Sequence, residues 1–472
     1  MSTGRTALCG LLGDPVVHSL SPVMHSAAFA ALGLDYAYLS FCVARQAVES
    51  ALVGLRALGA RGVNVTVPHK SAVLPFLDAL DSTAERMGAV NTIVFTDGRA
   101  KGYNTDAFGF LQALTAAGFD PAGKKVAVLG AGGAAAAIAW ALKNAGGSPV
   151  LVTRRTSLSR GRALARRLSL PAEVAELGKL RSVLDGVELL VNATGVGTTP
   201  HTDATLVPAE LLRSGLTVFD VVYNPRETRL LREARLVGAR TISGLEMLLY
   251  QGARSFELWT GKVPPIDIMR HAALGELGES VFVGRPVVLI GFMGSGKSVV
   301  SKALARRLGR RLLETDAMVE RAAGKSIGRI FAEDGEAAFR RWEAVAVCEA
   351  LAVPGAVVSC GGGVVLNAAT AACFKEKAAV IYLKASPEVL ATRLGHSRHR
   401  PLLQTGNRLA AITALLNERK ASYEQAADIT IDTSRLNVEG VADTIAAVIK
   451  SAGGAVASSS NTDGGRVTES LS

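Results

Sequence analysis

This 472-residue sequence predicts an α/β architecture of about three sheet-centred modules. Three observations carry that expectation. Glycine-rich turns at Gly130–Ala135 and Gly291–Ser298 each follow an apolar run of strand length and precede a run of helix length. Ala and Gly are abundant while aromatics make up only 5%, which favours close packing of helices on sheets. A hydrophobic content of 49% against 20% charged residues supplies ample core for several globular modules.

The net charge of +11 raises the question of nucleic acid. The basic residues are spread along helices, as in Arg160–Arg167 and Arg306–Arg311, with no interleaved aromatics. Small anionic substrates and solvated helix faces account for the excess, so no nucleic-acid partner is expected. The cysteines, Cys9, Cys42, Cys348, Cys360 and Cys373, are odd in number and form no CxxC pair. They read as small core residues in a reducing compartment, not as a disulfide framework. No signal peptide is evident, and the longest uncharged run, Val126–Leu142, is shorter than the ~20 residues a membrane span needs. A cytoplasmic protein with no membrane partner is expected.

Ala7–Leu12 reads as a strand, followed by Gly13 to Pro22 and a helix over Val23–Ala31. Ser19 and Ser21 stand two apart on that loop; they can bind a polar ligand or cap the helix, and spacing alone favours the cap. Asn64–Val67 alternates polar and apolar residues, so it reads as a strand with one wet face. It ends at Pro68 with Lys70 just beyond, the end at which open α/β sheets bind ligands; a surface lysine opening a helix is the plainer alternative. Gly88–Ile93 contains Asn91, and Gly102–Asp106 leads into an amphipathic helix over Phe108–Ala117. Asp106 there reads most simply as a cap.

Lys124–Leu129 is a strand, Gly130-Ala131-Gly132-Gly133-Ala134-Ala135 is the GxGxxA fingerprint, and a helix follows to about Asn144. With a second strand at Pro149–Thr153, this is a Rossmann dinucleotide module. The second strand ends in Thr153-Arg154-Arg155-Thr156, where an NAD site would carry an acid. Arginine accepts a 2′-phosphate, so NADP(H) is the expected cofactor, with Arg160 a second contact; arginines that only face solvent are the alternative. Strands are also expected at Leu189–Asn192 and from Val218, and a helix over Met247–Trp259 that packs back on the first module.

Val287–Ile290 reads as a buried strand, and Gly291-x-x-x-x-Gly296-Lys297-Ser298 is the full P-loop signature, with a helix over Val299–Leu308. Backbone amides of such a loop cradle phosphates, the lysine adds a point charge, and the Ser298 hydroxyl can ligate Mg²⁺. Nucleotide-dependent phosphoryl transfer is therefore expected. Leu312–Asp316 is a strand ending in two acids, and Arg340 and Glu343 share a helix face as a surface ion pair would. Ala356–Cys360 is a strand closed by Gly361-Gly362-Gly363, whose bare amides suit a close ligand. Gly395–Asn407 has glycines near its ends and arginines between, which suits a mobile lid. Arg419 and Tyr423 are one turn apart on a helix.

These clusters together resemble two families. HSxSP at His18–Pro22, NVTxPxK at Asn64–Lys70, GAVNT at Gly88–Thr92 and NTD at Asn104–Asp106 resemble shikimate dehydrogenase, over Gly13 to about Gly275. That resemblance implies that Ser19, Ser21, Asn64, Thr66, Lys70, Asn91, Asp106, Tyr223 and Gln251 contact 3-dehydroshikimate, with Lys70 and Asp106 the catalytic pair. It implies that Gly130, Ala131, Gly132, Gly133, Ala134, Arg154, Arg155, Thr156 and Gly244 hold NADP(H). The order P-loop, [DE]xD, FRxxE, GGG, RPLL and RxxxY resembles shikimate kinase over nearly all of Pro286–Lys450. It implies that Gly294, Ser295, Gly296, Lys297, Ser298, Val299 and Arg400 bind ATP, with Mg²⁺ on Ser298. Shikimate would lie against Asp316, Arg340, Gly361, Gly362, Gly363 and Arg419, with Asp316 acting on the 3-hydroxyl.

The expected organisation is thus a discontinuous substrate domain (1–106 and 245–275), a Rossmann NADP-binding domain (107–244), a linker (276–284), a P-loop kinase domain with a central parallel sheet (285–450) and a disordered tail (451–472). The two resemblances together imply that the product of the first half would be the substrate of the second.

Overall fold

The computed structural model describes residues 3–170, 174–279, 282, 284–394, 408–434 and 436–458. The chain divides into two compact units, Met1–Ala28 with Asp35–Met269, and Phe29–Leu34 with Arg270–Ser472. The division falls earlier than the expected linker, inside the helix Ile266–Glu276.

The first unit holds two six-stranded sheets. The first contains β1 (Ala7–Gly13), β2 (Tyr36–Cys42), β3 (Gly62–Val65), β4 (Ala79–Leu80), β5 (Thr92–Thr96) and β6 (Arg99–Tyr103), in the order β2-β1-β3-β5-β6-β4. β1 runs parallel to β2 and β3, β5 antiparallel to β3, and β6 antiparallel to β5. The carboxyl ends of β1, β3 and β6 and the amino end of β5 therefore meet at one edge. Those ends are where the Ser19, Thr66–Lys70, Asn91 and Asp106 stretches begin or stop. The expectation of a wet face on the third strand is corrected: all four residues of β3 are buried, because the strand lies inside the sheet and is covered on both faces.

The second sheet contains β7 (Lys125–Leu129), β8 (Ser148–Thr153), β9 (Ala175–Glu176), β10 (Leu189–Asn192), β11 (Thr217–Asp220) and β12 (Arg240–Ser243). Its order, β12-β11-β10-β7-β8-β9, is parallel throughout. The chain winds outward from β7 in one direction, then returns to β10 and winds the other way. That reversal makes a topological switch point at the carboxyl end of β7, where ligands bind in such sheets.

α1 (Asp106–Ala116) leaves the first sheet for the second, where α2 (Gly133–Asn144) follows β7. α3 (Gly244–Thr260) returns from the second sheet to the first. Gly109 allows α1 and α3 to touch backbone to backbone: a Cβ there would stand 2.7 Å from the Gln251 nitrogen and the Met247 oxygen. Gly109→Val is expected to force the helices apart and destabilise the first unit by about 1–3 kcal/mol. Denaturant titration checks it; an unchanged unfolding midpoint would contradict it.

The second unit is built on five strands: β13 (Val287–Ile290), β14 (Leu312–Glu314), β15 (Val357–Ser359), β16 (Ala379–Lys384) and β17 (Ile429–Asp432). They are parallel in the order β14-β15-β13-β16-β17. β13 is the central strand and all four of its residues are buried, as a continuous Val/Leu/Ile run requires. Around the sheet lie α4 (Lys297–Leu308), α5 (Thr315–Ala323), α6 (Gly335–Leu351), α7 (Arg408–Ala426) and α8 (Val438–Ser458). α8 carries helix through Ser458, past the point where disorder was expected; 459–472 lie outside the described residues.

The cysteines differ from expectation. Cys9 and Cys360 are buried, Cys373 is half-buried, and Cys42 and Cys348 are exposed; all are free thiols. Among the described residues no helix is long and apolar enough to cross a membrane.

Candidate active sites

In the first unit, the Lys70 Nζ donates to Asp106 Oδ2 at 2.5 Å, with both side chains largely shielded from solvent. Asp106 is not the cap of α1: Thr105 holds the cap position and Asp106 is the first helical residue. Its second oxygen accepts from Asn91 Nδ2 at 2.8 Å. The same amide nitrogen approaches Gln251 Oε1 at 3.3 Å, while Gln251 Nε2 is held by the Leu248 carbonyl. Lys70, Asn91, Asp106 and Gln251, separated widely in sequence, thus share one polar cluster.

Ser19 and Ser21 sit on the neighbouring loop. The Ser21 N–H donates to Ser19 Oγ at 3.2 Å, and Ser21 is the first residue of its helix. Thr66 is half-buried at the end of β3 and its N–H is held by the Leu12 carbonyl. Asn64 is placed differently from the others. Its amide donates to Ser255 Oγ at 3.0 Å and Thr92 Oγ1 at 3.2 Å, and its oxygen accepts from the Tyr38 hydroxyl at 2.8 Å. Asn64 therefore uses its polar atoms to tie β3 to α3.

Thr92, Thr105, Ser255 and Tyr38 complete this buried network and were missed in the sequence. Thr92 Oγ1 and Ser255 Oγ are 2.7 Å apart, and the Thr105 N–H donates to Asn91 Oδ1 at 2.7 Å. Ser255 stands one turn beyond Gln251, which was the available signal.

The dinucleotide loop lies close by. A Cβ on Gly133 would meet Lys70 Cδ at 3.4 Å, so the lysine stem runs past the start of α2. Gly130 has φ +118°, a backbone only glycine adopts comfortably, and lies against Thr194 from the turn after β10. Gly132 has open space where a side chain would be, leaving backbone amides and the α2 N-terminus accessible to an anion. Arg154, Arg155 and Thr156 are exposed at the end of β8, whose pairing with β7 brings them beside the loop. Neither arginine has a carboxylate partner among the described residues. Gly244 opens α3 and passes so close to the Val221 carbonyl that a Cβ would lie 2.2 Å from its oxygen. Tyr223 is half-buried, and burial raises its hydroxyl pKa.

Asp220, at the end of β11, is fully buried and was not expected. It accepts from Asn192 Nδ2 at 2.9 Å, Thr228 Oγ1 at 2.7 Å and the Val222 N–H at 3.1 Å. Asn192 in turn accepts from Thr194 Oγ1 at 2.6 Å, so the buried acid supports the turn beside Gly130. Burial pushes the Asp220 carboxyl up to about 6, against the opposing pull of those hydrogen bonds. Between pH ~4 and ~6 the folded chain keeps a proton that the unfolded chain has lost, so this group's contribution to stability falls as pH rises through that window. The change is about 3 kcal/mol. Asp220→Asn is expected to flatten that slope; unfolding midpoints at pH 4.5 and pH 7 check it, and parallel pH profiles in parent and variant would contradict it.

In the second unit, Gly291, Gly294 and Gly296 all have positive φ, and α4 begins at Lys297, two residues before the expected start. Lys297 Nζ donates to the Gly291 and Phe292 carbonyls at 2.9 and 3.1 Å. Ser298 and Val299 are exposed at the mouth of the loop. Ser295 is turned the other way: its hydroxyl is buried beneath Gly291 and packs the loop from within.

Gly362 links the loop to the acceptor side, since a Cβ there would stand 3.5 Å from Gly291 O and Met293 N. Around the triple glycine lie Asp316 from the first turn of α5 and Arg340 from α6. A Cβ on Gly361 would be 3.1 Å from Asp316 Oδ1, and one on Gly363 would be 2.6 Å from both terminal nitrogens of Arg340. Arg419 is on α7, one turn before Tyr423, whose hydroxyl donates to the Gly362 carbonyl. Tyr423 stacks on Tyr382 at 4.9 Å, and burial pushes its hydroxyl up to about 12.

The expected surface ion pair is corrected. Arg340 Nη1 donates to Glu343 Oε2 at 2.7 Å, but Glu343 is only 3% exposed, because α6 turns that face onto the triple glycine. Burial raises the Glu343 pKa, and its Oε1, 2.8 Å from a Cβ position on Gly361, has no hydrogen-bond partner among the described residues. Arg400 and the expected lid, 395–407, lie outside the described residues.

These sites define a class: a dinucleotide-dependent oxidoreductase with a lysine–carboxylate centre, joined to a P-loop phosphotransferase. Residues 11–93 match the family model for the shikimate dehydrogenase substrate binding domain, 113–238 that for shikimate / quinate 5-dehydrogenase, and 244–274 that for the shikimate 5′-dehydrogenase C-terminal domain. Residues 293–461 match shikimate kinase. The chain belongs to the shikimate dehydrogenase family and carries a shikimate kinase domain after it. It is similar to the shikimate dehydrogenase (NADP(+)) of Moorella thermoacetica, at 51% identity over 58% of this chain and 95% of that one. A Thermus thermophilus shikimate 5-dehydrogenase solved with NADP(H) and shikimate matches with TM-score 0.52 and 43% identity, over 57% of this chain and 98% of that one. A Corynebacterium glutamicum quinate dehydrogenase solved with NAD matches with TM-score 0.53 and 33% identity, over 56% and 97%.

Proposed function

We propose that this chain catalyses two consecutive steps, NADPH-dependent reduction of 3-dehydroshikimate to shikimate and ATP-dependent phosphorylation of shikimate to shikimate 3-phosphate. The observation that carries the reading is the pairing of each acceptor cluster with a nucleotide loop in its own unit. Lys70 runs past Gly133, and Gly362 lies against Gly291.

In the first step, hydride passes from NADPH to the ketone carbon while Lys70 gives a proton to the oxygen. Asp106 positions the lysine and accepts from a substrate hydroxyl. Ser19, Ser21, Thr66, Asn91, Tyr223 and Gln251 hold the remaining hydroxyls and the carboxylate, and Asn64 supports them from behind. Gly130–Ala134 and Gly244 take the dinucleotide, with Arg154, Arg155 and Thr156 on the 2′-phosphate. In the second step, Asp316 orients the 3-hydroxyl and takes its proton as that oxygen attacks the γ-phosphorus and ADP leaves. Arg340 and Arg419 hold the carboxylate across Gly361–Gly363. Gly294–Val299 cradle the phosphates and Lys297 stabilises the transferring group, with Arg400 a further cation.

The exposed Ser298 hydroxyl at the loop's mouth is a hard oxygen donor that suits Mg²⁺. Bound there, the ion would neutralise phosphate charge. A cytoplasmic location fits the two co-substrates and the free thiols.

Coupled turnover tests the reading. 3-Dehydroshikimate, NADPH and Mg·ATP are expected to yield shikimate 3-phosphate, with NADPH preferred to NADH and shikimate to quinate. Reduction without phosphorylation would remove the kinase assignment, and the reverse result would remove the reductase assignment.

A further inference from the structure

The second unit contains a cationic pocket that neither reaction uses. It is an open hollow of about 650 Å³ lined by Lys302, Ala305, Arg306, Gly309, Arg310 and Leu312. That is within the roughly 300–1,000 Å³ of small-molecule sites. Its position separates it from the P-loop. Arg306 lies nine residues along from Lys297, roughly 13 Å up the axis of α4. Arg310 lies beyond the Gly309 C-cap, and Leu312 is at the amino end of the edge strand β14. The phosphate loop is at the other end of the helix.

The pocket's charges are under-compensated. The acidic group facing it from β14 is Glu314, 3.9 Å from Lys302. Arg306 and Arg310 have no carboxylate within ion-pair distance among the described residues. Arg307, on the same turn but pointing to α8, is held by Glu439 and Asp443 at 2.7 Å each. Among the described residues the fold thus gives Arg307 two acids, while the hollow has Glu314 alone, on the Lys302 side. Arg310 Nη1 is buried without a hydrogen-bond partner among the described residues, and burial lowers its guanidinium pKa. Cations at a helix C-terminus complement its dipole. That explains the sign of the charge, but not a concave site or a desolvated guanidinium nitrogen with nothing to receive its hydrogen.

We propose that this pocket is a binding site for a small phosphate-bearing polyanion, separate from the ATP site. Lys302 and Arg306 are one helical turn apart, roughly 6 Å, so they suit two anionic groups at that spacing. Ala305, Gly309 and Leu312 provide an apolar floor for the body that joins them, and Arg310 adds a third positive charge to the wall.

The test is titration calorimetry at fixed ionic strength on the full chain, presaturated with Mg·ADP and NADP⁺, with pyrophosphate as the probe. One further equivalent is expected to bind. The Arg306→Gln/Arg310→Gln variant is expected to weaken it at least tenfold while Mg·ADP affinity stays within twofold. Lys302→Gln, on an exposed position, keeps the test sound if the double variant fails to fold, and a threefold or larger loss is expected from it alone. 3-Phosphoglycerate binding more tightly than pyrophosphate assigns a mixed phosphate–carboxylate ligand; the reverse assigns a diphosphate. No uptake by the parent chain, or uptake that the variants leave unchanged, overturns the proposal. So does retention of a single-stranded RNA oligomer with neither small anion bound.

Discussion

Lys70→Ala is expected to lower the rate of ketone reduction roughly 10³-fold, the range for loss of a positioned general acid, while phosphorylation of added shikimate is unchanged. The 2.5 Å contact with Asp106 fixes its ammonium in the polar cluster of Asn91, Asp106 and Gln251, while its stem passes along Gly133 of the glycine loop. Lys70→Arg separates two roles. It preserves positive charge, but a guanidinium does not release a proton near neutrality. If proton donation dominates, Lys70→Arg is nearly as slow as Lys70→Ala; if charge alone matters, much of the rate returns. Asp106→Asn combined with Lys70→Ala should cost far less than the sum of the two single changes, because both act on one interaction. Steady-state rates on the full chain decide this, and an alanine variant within tenfold of the parent would remove Lys70 from the chemistry.

The mirror experiment is Lys297→Ala, expected to cut phosphorylation by roughly 10²–10³-fold, as for removal of one preorganised donor to a developing charge. Reduction should be untouched. The ammonium already rests on the Gly291 and Phe292 carbonyls, so it is positioned by the loop itself. Most of the loss should fall in kcat, because the lysine is worth most when charge shifts during transfer. Nucleotide affinity measured by fluorescence titration and kcat measured by product formation separate the two; a variant that binds ATP normally and turns over normally contradicts the assignment.

Much of this chain was legible because its motifs are local. β13 and the P-loop follow from one contiguous run, since an apolar strand, a glycine turn and a helix N-terminus need no distant partner to be recognised. The same holds for the GxGxxA loop between β7 and α2. The position of Arg154 and Arg155 at the end of β8 was legible because the strand following the glycine-loop helix pairs with β7 in such a sheet.

Other features depended on partners the sequence does not place nearby. Asn64 looked like one wet position in a half-exposed strand. It is buried because β3 lies inside its sheet, and its partner Ser255 is 191 residues away. Asp106 read as a helix cap on local evidence, yet its carboxylate serves Lys70 and Asn91 instead. Glu343 looked like half of an exposed ion pair, and only the packing of α6 on the triple glycine buries it. Asp220 gave no signal at all, since a lone acid at a strand end is ordinary until three donors converge on it.

The sequence by itself determined the α/β class, the two nucleotide loops and the residue types able to move a proton and a phosphoryl group. These are short-range properties, set by backbone conformation and side-chain chemistry within a few residues. The tertiary structure alone decided which polar groups are buried, which share a hydrogen-bond network and which pocket is left with uncompensated charge. Burial and electrostatics depend on what each neighbour excludes or supplies, and those neighbours are brought together by sheet order rather than by spacing along the chain.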